Sequence, residues 1–316
     1  MKILFASDLH GQERHYGELL SLAHELGSDC LLLGGDLLPT LLPPLSPLVS
    51  GGMDLNTALR TQIDFIDATL APLLNRFMDS HPSTHVFYIP GNHDWVVAMD
   101  HLASAAPRSV NLHLNQVYLG GYRFVGYGCV TDSSFWVKDY VRRDTPLDGH
   151  VPSRYACISS PRGIESVEGG AYVRRHPSIQ EELQGLSQED PGHTIGLFHS
   201  PPFNSGLDTL YDGQPIGSRS IREFIMRCQP LVTLHGHIHE SPYMSGVFHT
   251  HIGRTLCVNA GHGRKKLHAV SFDTVNPAAT LTHSLFGTGS HTVSGYGLDR
   301  LGLKLKSLAL KAFFSR

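Results

Sequence analysis

Five short apolar runs, each ending in a polar cluster, constrain this 316-residue chain more than any other feature. The run over residues 2–7 ends at Asp8-Leu9-His10, that over 30–33 at Gly34-Gly35-Asp36, and that over 86–89 at Pro90-Gly91-Asn92-His93-Asp94. Residues 194–198 lead to His199-Ser200-Pro201-Pro202, and 231–234 to His235-Gly236-His237-Ile238-His239. Short runs rich in Val, Ile, Leu and Phe and closed by turn formers read as buried strands. Apolar Tyr16, Leu19, Leu20, Ala23 and Leu26 predict a helix over 14–26, stopped by Gly27. A long helix is expected over 57–78. A third is capped by Ser218, with Ile221, Phe224, Ile225 and Cys228 on its inner face and Pro230 beyond it. Strand–helix–strand alternation implies an α/β fold with parallel strands. In such sheets sites gather at the carboxyl ends of strands, where these clusters fall.

Later segments differ. Residues 123–127, 254–259, 268–272 and 280–286 read as strands without long helices between them, which predicts a second sheet. Residues 131–192, rich in Pro, Gly, Ser and Arg, are expected to be an irregular, functional loop region. Residues 41–52 form a Pro- and Leu-rich insertion. The domain division expected is a catalytic unit over 1–286, then a Gly/Ser-rich linker and basic amphipathic tail over 287–316. In that tail Leu301, Leu305, Leu308 and Ala312 share one helical face, and docking on the domain or a sister subunit is favoured over a membrane surface.

Composition narrows the partners. The formal charge of −3 excludes a broadly basic surface built to grip nucleic acid, and 41% apolar residues exclude an acidic disordered chain. The five cysteines are scattered, odd in number and lack a C-x-x-C pair, so a disulfide framework is not expected and a reducing cytosol is. Asp8 interrupts the first apolar run too soon for a signal peptide, and no later stretch approaches a membrane span. These features predict a soluble cytoplasmic protein with a small-molecule substrate.

The order of the clusters carries the chemistry: D-x-H, G-D, G-N-H-D, H, then G-H-x-H. Alternate residues of an extended segment project to one side, so Asp8 with His10, and His237 with His239, can each offer two ligands together. With Asp36, Asn92 and His199 the set mixes carboxylate and amide oxygens with imidazole nitrogens. That mixture suits Mn²⁺, Fe²⁺ or Zn²⁺ rather than Mg²⁺ or Ca²⁺. Seven ligands exceed what one such ion takes from protein but fit two ions sharing a carboxylate.

In this order the motifs resemble those of the calcineurin-like metallophosphoesterase superfamily, over residues 2 to about 286. The resemblance implies a four-layer α/β/β/α sandwich of two mixed sheets flanked by helices, with two divalent metals at the strand ends. By position, Asp8, His10, Asp36 and His239 hold one metal, Asp36 bridges, and Asn92, His199 and His237 complete the second. His93 matches the histidine that lies beside the scissile phosphate without binding metal. Two cations about 3.5–4 Å apart bind phosphate oxygens, lower the pKa of a bridging water and stabilise an in-line transition state. The expected reaction is attack on phosphorus by a hydroxide that two such metals would bridge, with His93 protonating the leaving group.

One departure matters. Ser/Thr protein phosphatases of the superfamily extend the second motif with an Asp-Arg pair, absent from Asp36-Leu37-Leu38-Pro39-Thr40. The G-N-H-D ending is closer to bacterial and archaeal phosphodiesterases. The departure leaves the partner that orients His93 open, because adjacent Asp94 should point away on an extended chain. A phosphodiesterase is the leading expectation; a non-catalytic scaffold of the same fold and a nuclease are the alternatives. Among weaker signals, His262 reads as a surface-loop residue and His249 with His251 as ordinary strand residues. Residues 135–143, mixing aromatic and basic side chains, are equally a lid over the site or a packed loop, and Arg219 reads as an exposed helical residue.

Overall fold

The computed structural model describes residues 1–41, 55–186 and 190–288. β1 (Lys2–Ala6), β2 (Cys30–Leu33), β3 (His85–Tyr88) and β4 (Val110–Asn111) lie side by side in parallel. The connecting helices are α1 (Glu13–Leu26), the pair α2 (Asn56–Phe65) and α3 (Ala71–Ser80), and α4 (Val96–Ala105). Gly27 ends α1 in the left-handed conformation (φ 57°), as its sequence position predicted. The long helix expected over 57–78 is continuous except for a π turn at Ile66–Leu70. Pro72 follows that turn; its missing N–H and its ring would disrupt a regular α-helix, and the extra residue of a π turn absorbs both.

β5 (Gln116–Leu119) and β6 (Tyr122–Tyr127) form a hairpin that opens the second sheet. The chain then builds two ribbons, β7 (Val130–Thr131) with β8 (Val141–Arg142) and β9 (Cys157–Ser160) with β10 (Gly163–Ser166). α5 (Gly169–Arg175) and α6 (Ile179–Gln184) follow. Residues 131–192 were expected to be irregular, and this is corrected for the described part of the segment. Buried ion pairs stand in it beside buried apolar residues such as Trp136, Val137, Tyr140, Ile179 and Leu183. The fully buried Lys138 pairs with Asp132 at 3.0 Å, and Arg142 with Glu182 at 3.2 Å.

β11 (Thr194–Phe198), β12 (Val232–His235), β13 (His249–Ile252) and β14 (Thr255–Asn259) complete the second sheet, in the order β13-β14-β12-β11-β6-β5. α7 (Arg219–Cys228) links β11 to β12, with the Ser218 hydroxyl accepting from the Ile221 N–H at 3.0 Å. α8 (Ser241–Ser245) follows β12. β15 (Val270–Asp273) returns to the first sheet, antiparallel to β1. After α9 (Pro277–Thr280), β16 (Thr282–His283) and β17 (Gly287–Thr288) extend that sheet.

Two expectations are thereby corrected. Segments 268–272 and 280–286 do not belong to the second sheet; alternation identifies a strand but not its neighbour, and β1 offered a free edge. The last strand is also shorter, because Pro277 starts a helical turn capped by Asn276. Sheet pairing reaches Thr288, two residues beyond the expected domain end. Most of the 41–52 insertion, the remainder of the linker and the whole amphipathic tail lie outside the described residues.

Side-chain alternation sorts the layers. Ile3 and Phe5, Cys30 and Leu32, and Phe87 share one core with Ile195, Leu197, Val232, Leu234, Val258 and Phe272 between the sheets. Leu4, Ala6, Leu31, Leu33, Val86 and Tyr88 instead meet the helices, as do Phe198 and Cys257 on the second sheet, where Ile221, Phe224 and Ile225 of α7 pack. The result is two large mixed sheets flanked by helices, as expected. Among the described residues no helix is long and apolar enough to cross a membrane.

Candidate metal centre

The carboxyl ends of β1, β2, β3, β11 and β12 converge, and they carry all seven expected ligands. Four of these residues hold left-handed backbone: Asp8 (φ 58°), His10 (φ 46°), Asp36 (φ 50°) and His237 (φ 66°). Such conformations are uncommon outside glycine and concentrate at functional sites. They also correct the geometry assumed for the D-x-H and H-x-H pairs. The side chains do converge, but through tight turns rather than extended alternation. Backbone bonds lock the turns together: Asp8 N–H donates to Gly35 O at 2.9 Å and His10 N–H to Asp36 O at 2.8 Å.

Close approach dictates two glycines. A Cβ at Gly91 would overlap Asp36 Oδ1 and His199 Nε2, and one at Gly236 would overlap Ser7 Oγ and Asp8 Oδ2. The carboxylates are oriented by main chain. Both Asp8 oxygens accept from His237 N–H at 3.1 Å, and Asp36 Oδ1 accepts from His93 N–H at 2.8 Å.

Ligand atoms of Asp8, His10, Asp36 and His239 all lie within 4.8 Å of one another, close enough to hold a metal ion. His10 Nε2 and His239 Nε2 face each other at 3.2 Å, and His239 Nε2 is 3.2 Å from Asp8 Oδ1. On the other side of Asp36, His199 Nε2 stands 3.5 Å from Oδ1, and the His237 ring packs on His199 with centroids 5.3 Å apart. Three buried atoms here have no hydrogen-bond partner: Asp36 Oδ2, Asn92 Oδ1 and His199 Nε2. His199 Nδ1 donates to Gly34 O at 2.8 Å, which orients the ring with Nε2 toward Asp36. Buried polar atoms without partners are costly, and a cation satisfies oxygen and nitrogen lone pairs together. The group Asp8, His10, Asp36 and His239 therefore fits a divalent metal ion, and the partnerless atoms of Asn92 and His199 lie on the far side of Asp36.

Electrostatics agree. Burial raises the pKa of Asp8, but the charge of His239 outweighs it and holds the carboxylate well below its usual range. Asp36 is likewise held down against burial, first by His93 and then by His199. Burial lowers His199, yet Asp36 carries it up to about 9. Burial pushes His10 and His237 down to about 3, so both present neutral lone pairs. Two buried carboxylates thus draw on the surrounding imidazoles for positive charge.

The calcineurin-like phosphoesterase family profile matches residues 1–241, most of the chain. The chain belongs to the calcineurin-like phosphoesterase family. The crystal structure of TT1561 of Thermus thermophilus superposes with a TM-score of 0.53 at 18% identity, covering 89% of this chain and 97% of that one. That likeness is one of fold. A dimetal phosphatase from Danio rerio aligns at 12% identity with a TM-score of 0.49, over 86% of this chain and 91% of that one. An archaeal phosphodiesterase aligns at 11% identity with a TM-score of 0.40, over 90% and 99% of the two chains. No curated protein sequence matches the chain.

Around this phosphoesterase's centre the structure places several residues that sequence reasoning missed or misplaced. Thr40 Oγ1 lies 2.9 Å from His93 Nδ1 and 3.0 Å from His10 Nδ1, so the hydroxyl, not Asp94, partners His93. Asp94 does point away from His93, but not outward. Fully buried, it accepts N–H bonds from Gly91 at 2.9 Å, Leu38 at 2.9 Å and Leu37 at 3.2 Å, tying the second motif to the third. Buried Gln62 of α2 donates to Pro39 O and His93 O and accepts from Trp95 N–H. No motif flagged Gln62, because only the tertiary fold brings α2 to these loops.

His262, expected on a surface loop, is corrected: its ring packs against His239 at 5.0 Å and His10 at 5.5 Å. Of residues 135–143, only Phe135 is placed against a site residue, with its ring 4.3 Å from that of His93. Trp136 packs on Trp95, while Lys138 and Arg142 are consumed by their ion pairs. Arg219 is exposed as expected, and the start of α7 is filled by Asp144, which accepts from the Arg219 N–H at 2.8 Å. His249 and His251 are residues of the edge strand β13.

Proposed function

We propose that the phosphoesterase is a binuclear phosphodiesterase acting on a small organic phosphodiester. Asp8, His10, Asp36 and His239 hold one divalent metal, and Asp36, Asn92, His199 and His237 the other, with Mn²⁺, Fe²⁺ or Zn²⁺ as occupants. The observation that carries this is the trio of buried, partnerless atoms on Asp36, Asn92 and His199, all within the expected ligand set. When bound, the metals supply Lewis-acid activation of phosphate and of water.

The chain's own residues then deliver the proton. A hydroxyl oxygen has two lone pairs and one proton, and Thr40 meets Nδ1 of both His10 and His93. With His10 Nε2 turned toward Asp36 and His239, its Nδ1 carries the proton and donates to Thr40. A charged His93 also donates Nδ1–H to Thr40 and presents Nε2–H to the site, 3.8 Å from Asp36 Oδ2. It gives up the Nε2 proton to the leaving oxygen and remains neutral, still bonded to Thr40. Burial lowers the His93 pKa, which makes the charged ring a stronger acid. Phe135 packs against the same ring, with centroids 4.3 Å apart.

The catalytic unit runs from residue 1 to about residue 288, the end of the sheet pairing, in a cytoplasmic protein. Hydrolysis of bis(p-nitrophenyl) phosphate by chelator-stripped protein, with and without added Mn²⁺, Fe²⁺ or Zn²⁺, tests the proposal. Metal-restored turnover supports it. Inert protein that takes up no metal favours the scaffold alternative.

A further inference from the structure

The loop after β14 lines the centre on the side away from His93. His10 stands between two imidazoles outside the expected ligand set, with His93 at 5.0 Å and His262 at 5.5 Å between ring centroids. His93 is backed by Phe135; His262 is backed by a built polar framework. Its N–H donates to His239 O at 3.2 Å. Buried Asn259 accepts from Gly261 N–H at 2.8 Å and donates to Leu207 O at 2.8 Å and Ile238 O at 3.2 Å. Ala260 O accepts from both His268 Nδ1, at 3.0 Å, and His283 Nε2, at 2.9 Å. Gly261 takes φ +68°, where a Cβ would crowd His239 O at 2.9 Å.

So held, the His262 ring has Nε2 at 3.2 Å from Gln12 Nε2. A carboxamide nitrogen only donates, which puts the ring proton on Nδ1. Among the described residues that N–H has no protein acceptor. Directly after Gly263 come Arg264, Lys265 and Lys266, all exposed and without an ion-pair partner among the described residues.

We infer that His262 and the Arg264–Lys266 loop form a subsite for a second phosphate, carried by the half of the substrate that stays bound while the other half leaves past His93. A neutral imidazole donor at close range and three cations just beyond suit a dianion, and charge-assisted bonds to phosphate are the strong ones. The preferred substrate is then an organic phosphodiester whose retained half bears a further phosphomonoester. The inference rests on the phosphodiesterase reading.

Its test compares propane-1,3-diol monophosphate with propane-1,3-diol bisphosphate as inhibitors of bis(p-nitrophenyl) phosphate hydrolysis by the metal-loaded full chain. The bisphosphate should inhibit about tenfold more tightly, roughly 1.4 kcal/mol, from its second phosphate. That ratio should fall to about one in the Arg264→Gln/Lys265→Gln/Lys266→Gln variant and shrink in His262→Ala, with metal content unchanged. It should persist in the charge control Arg76→Gln/Arg175→Gln. Equal inhibition of the wild type by both compounds, or a ratio that survives both site variants, overturns the subsite. A ratio lost in the charge control also overturns it. If the wild type hydrolyses nothing, the phosphodiesterase reading fails instead, and calorimetric binding of the two compounds still decides the subsite.

Discussion

Thr40→Val removes one hydroxyl and keeps the side chain's shape. It deletes the partner of His93 Nδ1 at 2.9 Å and of His10 Nδ1 at 3.0 Å. The bond to a charged His93 is worth about 1.5 kcal/mol, the lower end for hydrogen bonds to charged groups, which corresponds to about tenfold in rate. The loss should fall only where a proton must be delivered. Turnover of diphenyl phosphate, with its poorer leaving group, should drop about tenfold in kcat, whereas bis(p-nitrophenyl) phosphate should change by less than about twofold. Parallel assays on the two esters, with metal content measured in both proteins, separate proton delivery from metal loss. An equal loss on both esters, or an undiminished rate on diphenyl phosphate, refutes the role given to Thr40 and His93.

Acid should destabilise the fold from about pH 6.5 downward. Burial holds His113, His235 and His283 down at about 3, against 6.5 when unfolded. The unfolded chain therefore binds protons that the native state refuses, and stability present above pH 6.5 is lost as pH falls toward 3. Each ring contributes about 1 kcal/mol of loss between pH 6.5 and 5.5; urea denaturation that gives the same stability at both pH values contradicts this. Asp132→Ala leaves the fully buried Lys138 without its 3.0 Å partner and also removes the His150 contact. The cost should be about 3–5 kcal/mol in chemical denaturation, while Asp132→Ala combined with Lys138→Met recovers much of it. A single variant as stable as wild type shows that the pair is not buried as described.

The strand-end clusters were legible because position relative to an apolar run is a property of the sequence itself. Lys2–Ala6, Cys30–Leu33 and Thr194–Phe198 announce where the chain enters the core, and Asp8, Asp36 and His199 follow at its exits. The left-handed turns at Asp8, His10 and His237 were not legible, since their N–H groups are held by the Gly35 and Asp36 carbonyls and the Asp8 carboxylate across strands. Thr40 ends the second motif, but a lone hydroxyl carries no charge or pairing pattern that would mark it as the partner of His93. His262 lies beyond the last motif, and its place depends on Asn259, His268 and His283, which no local pattern connects. Residues 131–186 looked irregular because charged side chains such as Lys138 and Arg142 occupy interior positions, where apolar periodicity is the usual guide.

The proposed function turns on Asp36 being shared between two metals. Anomalous diffraction from crystals of the Mn²⁺-loaded protein tests it directly. Two peaks about 3.5–4 Å apart are predicted, one among Asp8, His10, Asp36 and His239 and the other among Asp36, Asn92, His199 and His237. A single peak, or two peaks of which one lies out of reach of Asp36, would contradict it.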